Sequence, residues 1–457
     1  MRKIEFIGSA SGKLAISILI ASSLLLAGCT RRGNNPVSSQ QESVVQGEVN
    51  GQQGLAKSEE VAARNVPGSG GAISSNSTGV QGATVTLAEI QVDGSLKTVS
   101  AAPVKSDAEG QFSVKTNLDG VSDLVAVASQ GSSEWEAIVS SEVRNGEAVD
   151  CQPLTDQTTV QSQAYSKIVA DGKGNEVTPA DLQLFITPVV AANIMGNSNA
   201  IAQVASALEA EAEVQSTAFS QFNITEAQLQ TAATARQQAQ ASFESALYSA
   251  DGDSAADDVA LQTYYAATVG AYVSAGIPIQ SLAEVEDASC SALTDNTQSL
   301  SAGISFSVAQ SSALVRAALA GQAVLSEMQA GGATQAEISS TDSANSELLA
   351  SLDLAVSSSQ LSSAFQEFHS AIMEQLLDLD SSDSSAVSSA DLQIEAAGGA
   401  GSVLSAALNS AATTGAIVQA YMTFYSSVSS LISGIGGLSS SQLDATAQIL
   451  MIVDSNA

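Results

Sequence analysis

The chain has 457 residues and a formal net charge of -32, from 15 Lys and Arg against 47 Asp and Glu. A balance this acidic repels phosphate backbones and anionic head groups, which excludes nucleic-acid binding and electrostatic docking on an anionic lipid surface. Apolar residues make up 44 % and aromatics only 4 %, so a large core is available and must be built from Ala, Leu, Val and Ile.

The N-terminal stretch begins with Arg2, Lys3 and Lys13, continues through an apolar run from Leu14 to Leu26, and closes on Leu26-Ala27-Gly28-Cys29. That order of basic, apolar and small residues is a secretory signal, and the run is too short to cross a bilayer core of ~30 Å as a helix. The Leu-Ala-Gly-Cys ending resembles the lipobox of bacterial lipoproteins. The resemblance implies cleavage before Cys29, a diacylglyceryl group on its sulfur and an N-acyl chain such as palmitate. Two or more chains anchor a protein firmly where one does not. Thr30, and not Asp, follows the cysteine, which by the same resemblance favours the outer membrane. Residues 1–28 are therefore expected to be a signal peptide. Residues 29–44, polar and unpatterned, are expected to be a lipidated flexible tether.

From Val45 to Pro153 the pattern is strand-like. Val45-Gln46-Gly47-Glu48-Val49, Ala83-Thr84-Val85-Thr86-Leu87 and Gln111-Phe112-Ser113-Val114-Lys115 alternate. Leu124-Val125-Ala126-Val127 is a continuous apolar run suited to a buried strand. Residues 51–78, rich in Gly, Ser and Asn, read as a long inserted loop. In Ser106-Asp107-Ala108-Glu109-Gly110-Gln111-Phe112, Asp107 starts a turn, Gly110 takes a positive φ and Phe112 enters the core. With Gly47-Glu48-Val49 and Gly82-Ala83-Thr84-Val85-Thr86-Leu87 before it, this set is similar to the carboxypeptidase regulatory-like domain. The resemblance implies a small transthyretin-like β-sandwich over 45–153, a non-catalytic accessory module with no site residues.

Residues 154–457 read as an acidic, Ala/Ser-rich helical domain. Helix starts recur as Ser or Thr followed three residues later by Gln, Glu or Asp. They fall at Thr178-Pro179-Ala180-Asp181, Thr225-Glu226-Ala227-Gln228 and Thr334-Gln335-Ala336-Glu337. Three more are Ser357-Ser358-Ser359-Gln360, Ser388-Ser389-Ala390-Asp391 and Ser439-Ser440-Ser441-Gln442. Leu361, Phe365, Phe368, Ile372, Leu376 and Leu379 form one amphipathic stripe. The uncharged stretch from Gly401 to Gly437 carries two adjoining apolar stripes. Its many Ser and Thr favour a buried core helix over a membrane span.

The fold class expected is thus multidomain β + α, a small N-terminal β-sandwich followed by a large all-α helical bundle. The lone histidine, His369, has no carboxylate three or four residues away and reads as the border of a packed face. The acidic runs at Asp251–Asp258 and Asp378–Asp383, and the turn Asp171-Gly172-Lys173-Gly174-Asn175, miss the EF-hand spacing and read as interhelix loops. Trp135 reads as a core residue more readily than as a sugar platform. An exported chain meets oxidising conditions, so Cys151 and Cys290 either pair or remain isolated buried thiols. No catalytic residue, metal ligand or cofactor is assigned. The expected role is structural or binding, as an envelope lipoprotein held to the membrane by the Cys29 lipid and meeting an unknown envelope protein or ligand. A carboxylate-based hydrolase and a subunit of a surface assembly are the alternatives.

Overall fold

The computed structural model describes residues 42–51 and 79–456, apart from 101, 122, 140–142, 226, 380–383, 412 and much of 234–253. Cys29, the signal and most of the tether lie outside the described residues, as do 52–78 of the inserted loop, Asp251, Asp253, Asp380 and Asp383. The chain folds as an N-terminal β region followed by a large helical region. The strands are β1 (Ser43–Gly51), β2 (Thr84–Ile90), β3 (Leu96–Thr98), β4 (Val104–Lys105), β5 (Gln111–Thr116), β6 (Leu124–Gln130), β7 (Ser133–Val139), β8 (Ala148–Asp150) and β9 (Leu154–Thr155). The helices begin with α1 (Asp156–Ala170), α2 (Pro179–Phe185), α3 (Pro188–Ile194), α4 (Ser198–Gln221), α5 (Ser254–Ser274), α6 (Ile279–Thr297) and α7 (Ala302–Gly331). They end with α8 (Gln335–Asp353), α9 (Ser358–Leu379), α10 (Ser384–Glu395), α11 (Ala400–Ser410), α12 (Thr414–Ile432) and α13 (Ser440–Asn456).

The strands run in the order β3-β2-β6-β7-β9-β1-β5, with β4 on β2 and β8 on β1. β1 is the hinge of this half-barrel. Its first part pairs antiparallel with β5 and parallel with β8, and its end pairs with β9 past an irregularity between Val49 and Gly51. The inward residues are the ones that alternation selects: Val85 and Leu87 on β2, Phe112 and Val114 on β5, Leu124, Ala126 and Ala128 on β6. Trp135 joins them as a core residue. The turn before β5 forms as its sequence demands. Asp107 Oδ1 accepts from the amides of Glu109 (3.1 Å) and Gln111 (2.8 Å), and Gly110 has φ +80°.

The other face of the sheet is not solvated. Ile90, Val125 and Ile138 belong to the same apolar cluster as the helices. This is why the run from Leu124 is apolar at every position: its two faces meet two cores. No linker separates the regions, because Thr155 ends β9 and also caps α1. Across that joint, Trp135 Nε1 donates to Asp156 Oδ1 (3.1 Å), the Glu136 amide donates to Thr159 Oγ1 (3.0 Å), and Tyr165 donates to Asp123 Oδ1 (2.8 Å).

Most helix starts fall where the motifs put them. Reciprocal caps close at Thr178/Asp181, with Pro179 in the first turn, and at Thr334/Glu337. They close likewise at Thr225/Gln228 and Ser439/Gln442. Two expectations are corrected. Ser388-Ser389-Ala390-Asp391 lies inside α10, which begins at Ser384, and Asp391 turns inward instead of capping. The Gly401–Gly437 stretch is two helices. Ala411 is extended, and Thr413 Oγ1 accepts from the Ala416 amide (3.3 Å) to start α12. α12 is the core helix, burying Val418, Tyr421, Phe424, Tyr425 and Val428, whereas α11 buries only Leu404. Among the described residues, no helix is long and apolar enough to cross a membrane.

The turn before β5 is sensitive to a single methyl group. A Cβ on Gly110 would lie 2.6 Å from the carbonyl oxygen of Val49, in a backbone region costly to other residues. Gly110→Ala is expected to cost about 1–3 kcal/mol, read as a lower midpoint in urea unfolding with an unchanged helical circular dichroism signal.

Candidate functional site

After Lys173 the chain has only three groups able to carry a positive charge: Arg236, Arg316 and His369. Each turns inward and meets carboxylates supplied by several helices.

α6 organises the first two meetings. Glu286 and Asp287 are consecutive, so they leave the helix about 100° apart. On the Glu286 side lies a buried polar cluster of Asp181, Glu211, Arg236, Tyr264, Tyr265 and Tyr272 around a cavity of ≈ 20 Å³. Arg236 donates to Tyr272 Oη (2.6 Å) and Tyr264 Oη (3.0 Å), with its guanidinium 5.4 Å from the Tyr272 ring centroid. Burial pushes Glu286 up to about 7, against the lowering by Arg236. Burial also raises Glu211 well above the usual carboxylate range, helped by the charges of Asp181 and Glu286. One guanidinium thus faces three acids, and burial favours the protonated form of each. Cys290, one turn after Glu286, donates to its Oε1 (3.6 Å). The cavity has room for about one water, not for a substrate.

On the Asp287 side, Arg316 of α7 reaches Oδ1 through Nε (3.2 Å). Asp287 Oδ2 accepts from Tyr425 of α12 (3.2 Å) and from Ser455 of α13 (2.6 Å). Arg316 also donates to the Ser455 carbonyl (3.2 Å) and lies 5.7 Å from the centroid of Phe365 on α9. Five helices meet at this one ion pair.

The third meeting is at His369 on α9. Its Nε2 lies 2.8 Å from Asp454 Oδ1 on α13 and 3.1 Å from Asp391 Oδ1 on α10, with Glu395 Oε1 at 4.0 Å. His369, Asp391 and Asp454 each offer one ligand atom, all within 4.8 Å of one another. Burial alone would lower the imidazole, but the two aspartates outweigh it and raise it to about 10. Burial pushes Asp454 up to about 6, against His369, which lowers it. The short contact to Asp454 is an ion pair: neither of its carboxylate oxygens has a hydrogen bond of good geometry.

Cys151 and Cys290 are both free and buried, the first in the sheet core and the second in the helical core. In the turn after α1, Lys173 pairs with Glu176 (2.8 Å). A surface recess of ≈ 290 Å³ beside Asn197, Asn199, Gln203 and Ser299 mixes amides and hydroxyls with the apolar Ala200, Leu300 and Ile304, and no ionisable group lines it. No protein-family model, curated protein or solved structure matches the chain.

Two outcomes follow from this geometry. Arg316→Met leaves the buried Asp287 carboxylate without its cation and is expected to cost about 3–5 kcal/mol. Adding Asp287→Asn removes the stranded charge, so the double variant should unfold at a higher denaturant concentration than Arg316→Met alone. The second outcome concerns pH. The folded protein holds the His369 proton more tightly than the unfolded chain does. The stabilisation is complete below the unfolded value of about 6.5 and is lost as pH rises through about 10. In the presence of a chelator, the ring resonances of this single histidine should remain those of imidazolium at pH 8 and titrate near pH 10. A midpoint near 6.5 would contradict the ion cluster.

Proposed function

We propose that this protein is a non-catalytic envelope lipoprotein, anchored to the membrane through lipid on Cys29, with a structural or binding role.

 The observation that carries this reading is the run from Leu14 closing on Leu26-Ala27-Gly28-Cys29. Thr30 after the cysteine favours the outer membrane. The β region, a carboxypeptidase regulatory-like sandwich in this reading, stands next to the tether, and the acidic helical region projects beyond it. Three features support a structural or binding role. Arg236, Arg316 and His369 are each engaged by carboxylates or tyrosines inside the helical region. The space beside the buried carboxylates Glu211 and Glu286 has a volume of ≈ 20 Å³, too small for a substrate. The ≈ 290 Å³ recess beside Asn197 is uncharged and mixed in character, with amides and hydroxyls beside Ala200, Leu300 and Ile304, and is open to a neutral partner or ligand.

The surface-assembly reading has one observation in its favour: β5, a six-residue strand, ends the strand order. Lys115 on that strand pairs with Glu42 at 2.9 Å, and a lysine on an edge strand discourages addition of a further strand.

The anchor is tested by Cys29→Ala. The parent is expected in the membrane fraction and to take up labelled palmitate, while the variant loses the label and leaves that fraction. A variant that stays with the membrane as the parent does would overturn the assignment.

A further inference from the structure

We propose that His369, Asp391 and Asp454 form a binding site for a divalent transition-metal ion of the zinc class, which clips α13 to α9 and α10. The inference is independent of the lipid anchor. It begins with Asp454, whose side chain is 2 % exposed and whose two oxygens have no hydrogen bond of good geometry. Burying a carboxylate without donors is costly, and native interiors avoid it. Among the described residues, its one cationic partner is His369, which it shares with Asp391. Nε2 carries at most one proton and cannot direct it to both aspartates. A divalent ion serves both: with a neutral imidazole and two carboxylates, the site is electrically balanced.

The donor set selects the ion. One imidazole nitrogen with carboxylate oxygens suits zinc and its first-row neighbours. Calcium takes 6–8 oxygens, more than this cluster offers. Glu395 lies one turn after Asp391 on α10, half exposed at the rim, where it or a water completes four ligands. The spacing is close to what binding requires. Zinc bonds of ~2.0–2.1 Å in a tetrahedron separate ligand atoms by about 3.3 Å. The present 2.8 and 3.1 Å from Nε2 need to open by only a few tenths of an ångström, and the two aspartate oxygens lie within 4.8 Å of each other.

The test uses the full chain, purified in detergent and stripped by a chelator. Zinc chloride is titrated in while calorimetry reads the stoichiometry and NMR reads the ring of the one histidine in the chain. The expected result is one zinc per chain, displaced ring resonances that a chelator restores, and a higher unfolding temperature. Asp391→Asn and Asp454→Asn should each weaken binding about tenfold or more. Ring resonances that do not move in excess zinc would overturn the proposal, and so would full affinity in a folded Asp454→Asn variant. Should either variant fail to fold, the resonances of the parent protein decide the matter alone.

Discussion

Two neighbouring acids on α6, each answered by an arginine from elsewhere in the chain, are what the helical region is built around. Glu286 and Asp287 diverge because consecutive residues on a helix point about 100° apart. Their partners, Arg236 and Arg316, are the only arginines after Arg144. A buried pair of this kind adds little net stability relative to well-packed apolar groups, but breaking it strands a charge. The packing of α4, α5, α7, α12 and α13 around α6 therefore has a preferred register, set by where these few cations can reach. An Ala-rich core needs such a device, since small side chains interdigitate with many arrangements of nearly equal energy.

The sheet meets this assembly without a break. The inner face of β6 packs within the half-barrel, while Val125 on its outer face joins the helical core. α1 is the shared element, capped by the last residue of β9 and hydrogen-bonded to β7 through Thr159. The β and α regions differ in pattern but share one continuous apolar boundary, so motion of α1 would be felt in both.

Features governed by local chemistry were legible in the sequence. The Asp107 turn, the alternation of β2 and β5, the stripe of α9 and most helix caps each depend on residues within a few positions of one another. The three charge clusters depend on long-range pairing. His369 finds Asp391 22 positions later, and no periodicity announces that. Asp391 follows a Ser-Ser-Ala that imitates a cap, which hid its inward direction. A signal was present on α6, where Glu286 sits one turn after Leu282 on a buried face, as a core acid would. The break between α11 and α12 is obscured for another reason: both halves are apolar and uncharged, and the capping Thr413 is one of many hydroxyl residues in the stretch.

The final turn of α13 supplies Asp454 to one cluster and Ser455 to another, and the partners of Ser455 lie 168 and 139 positions earlier in the chain. Synthesis runs from the N-terminus, so a growing chain can assemble its sheet and early helices while both clusters still lack their last members. Closure of the Ser455 contacts requires loops of well over a hundred residues, which is slow. The region thus stays open during elongation and reaches its finished state only after the residues of α13 have been made.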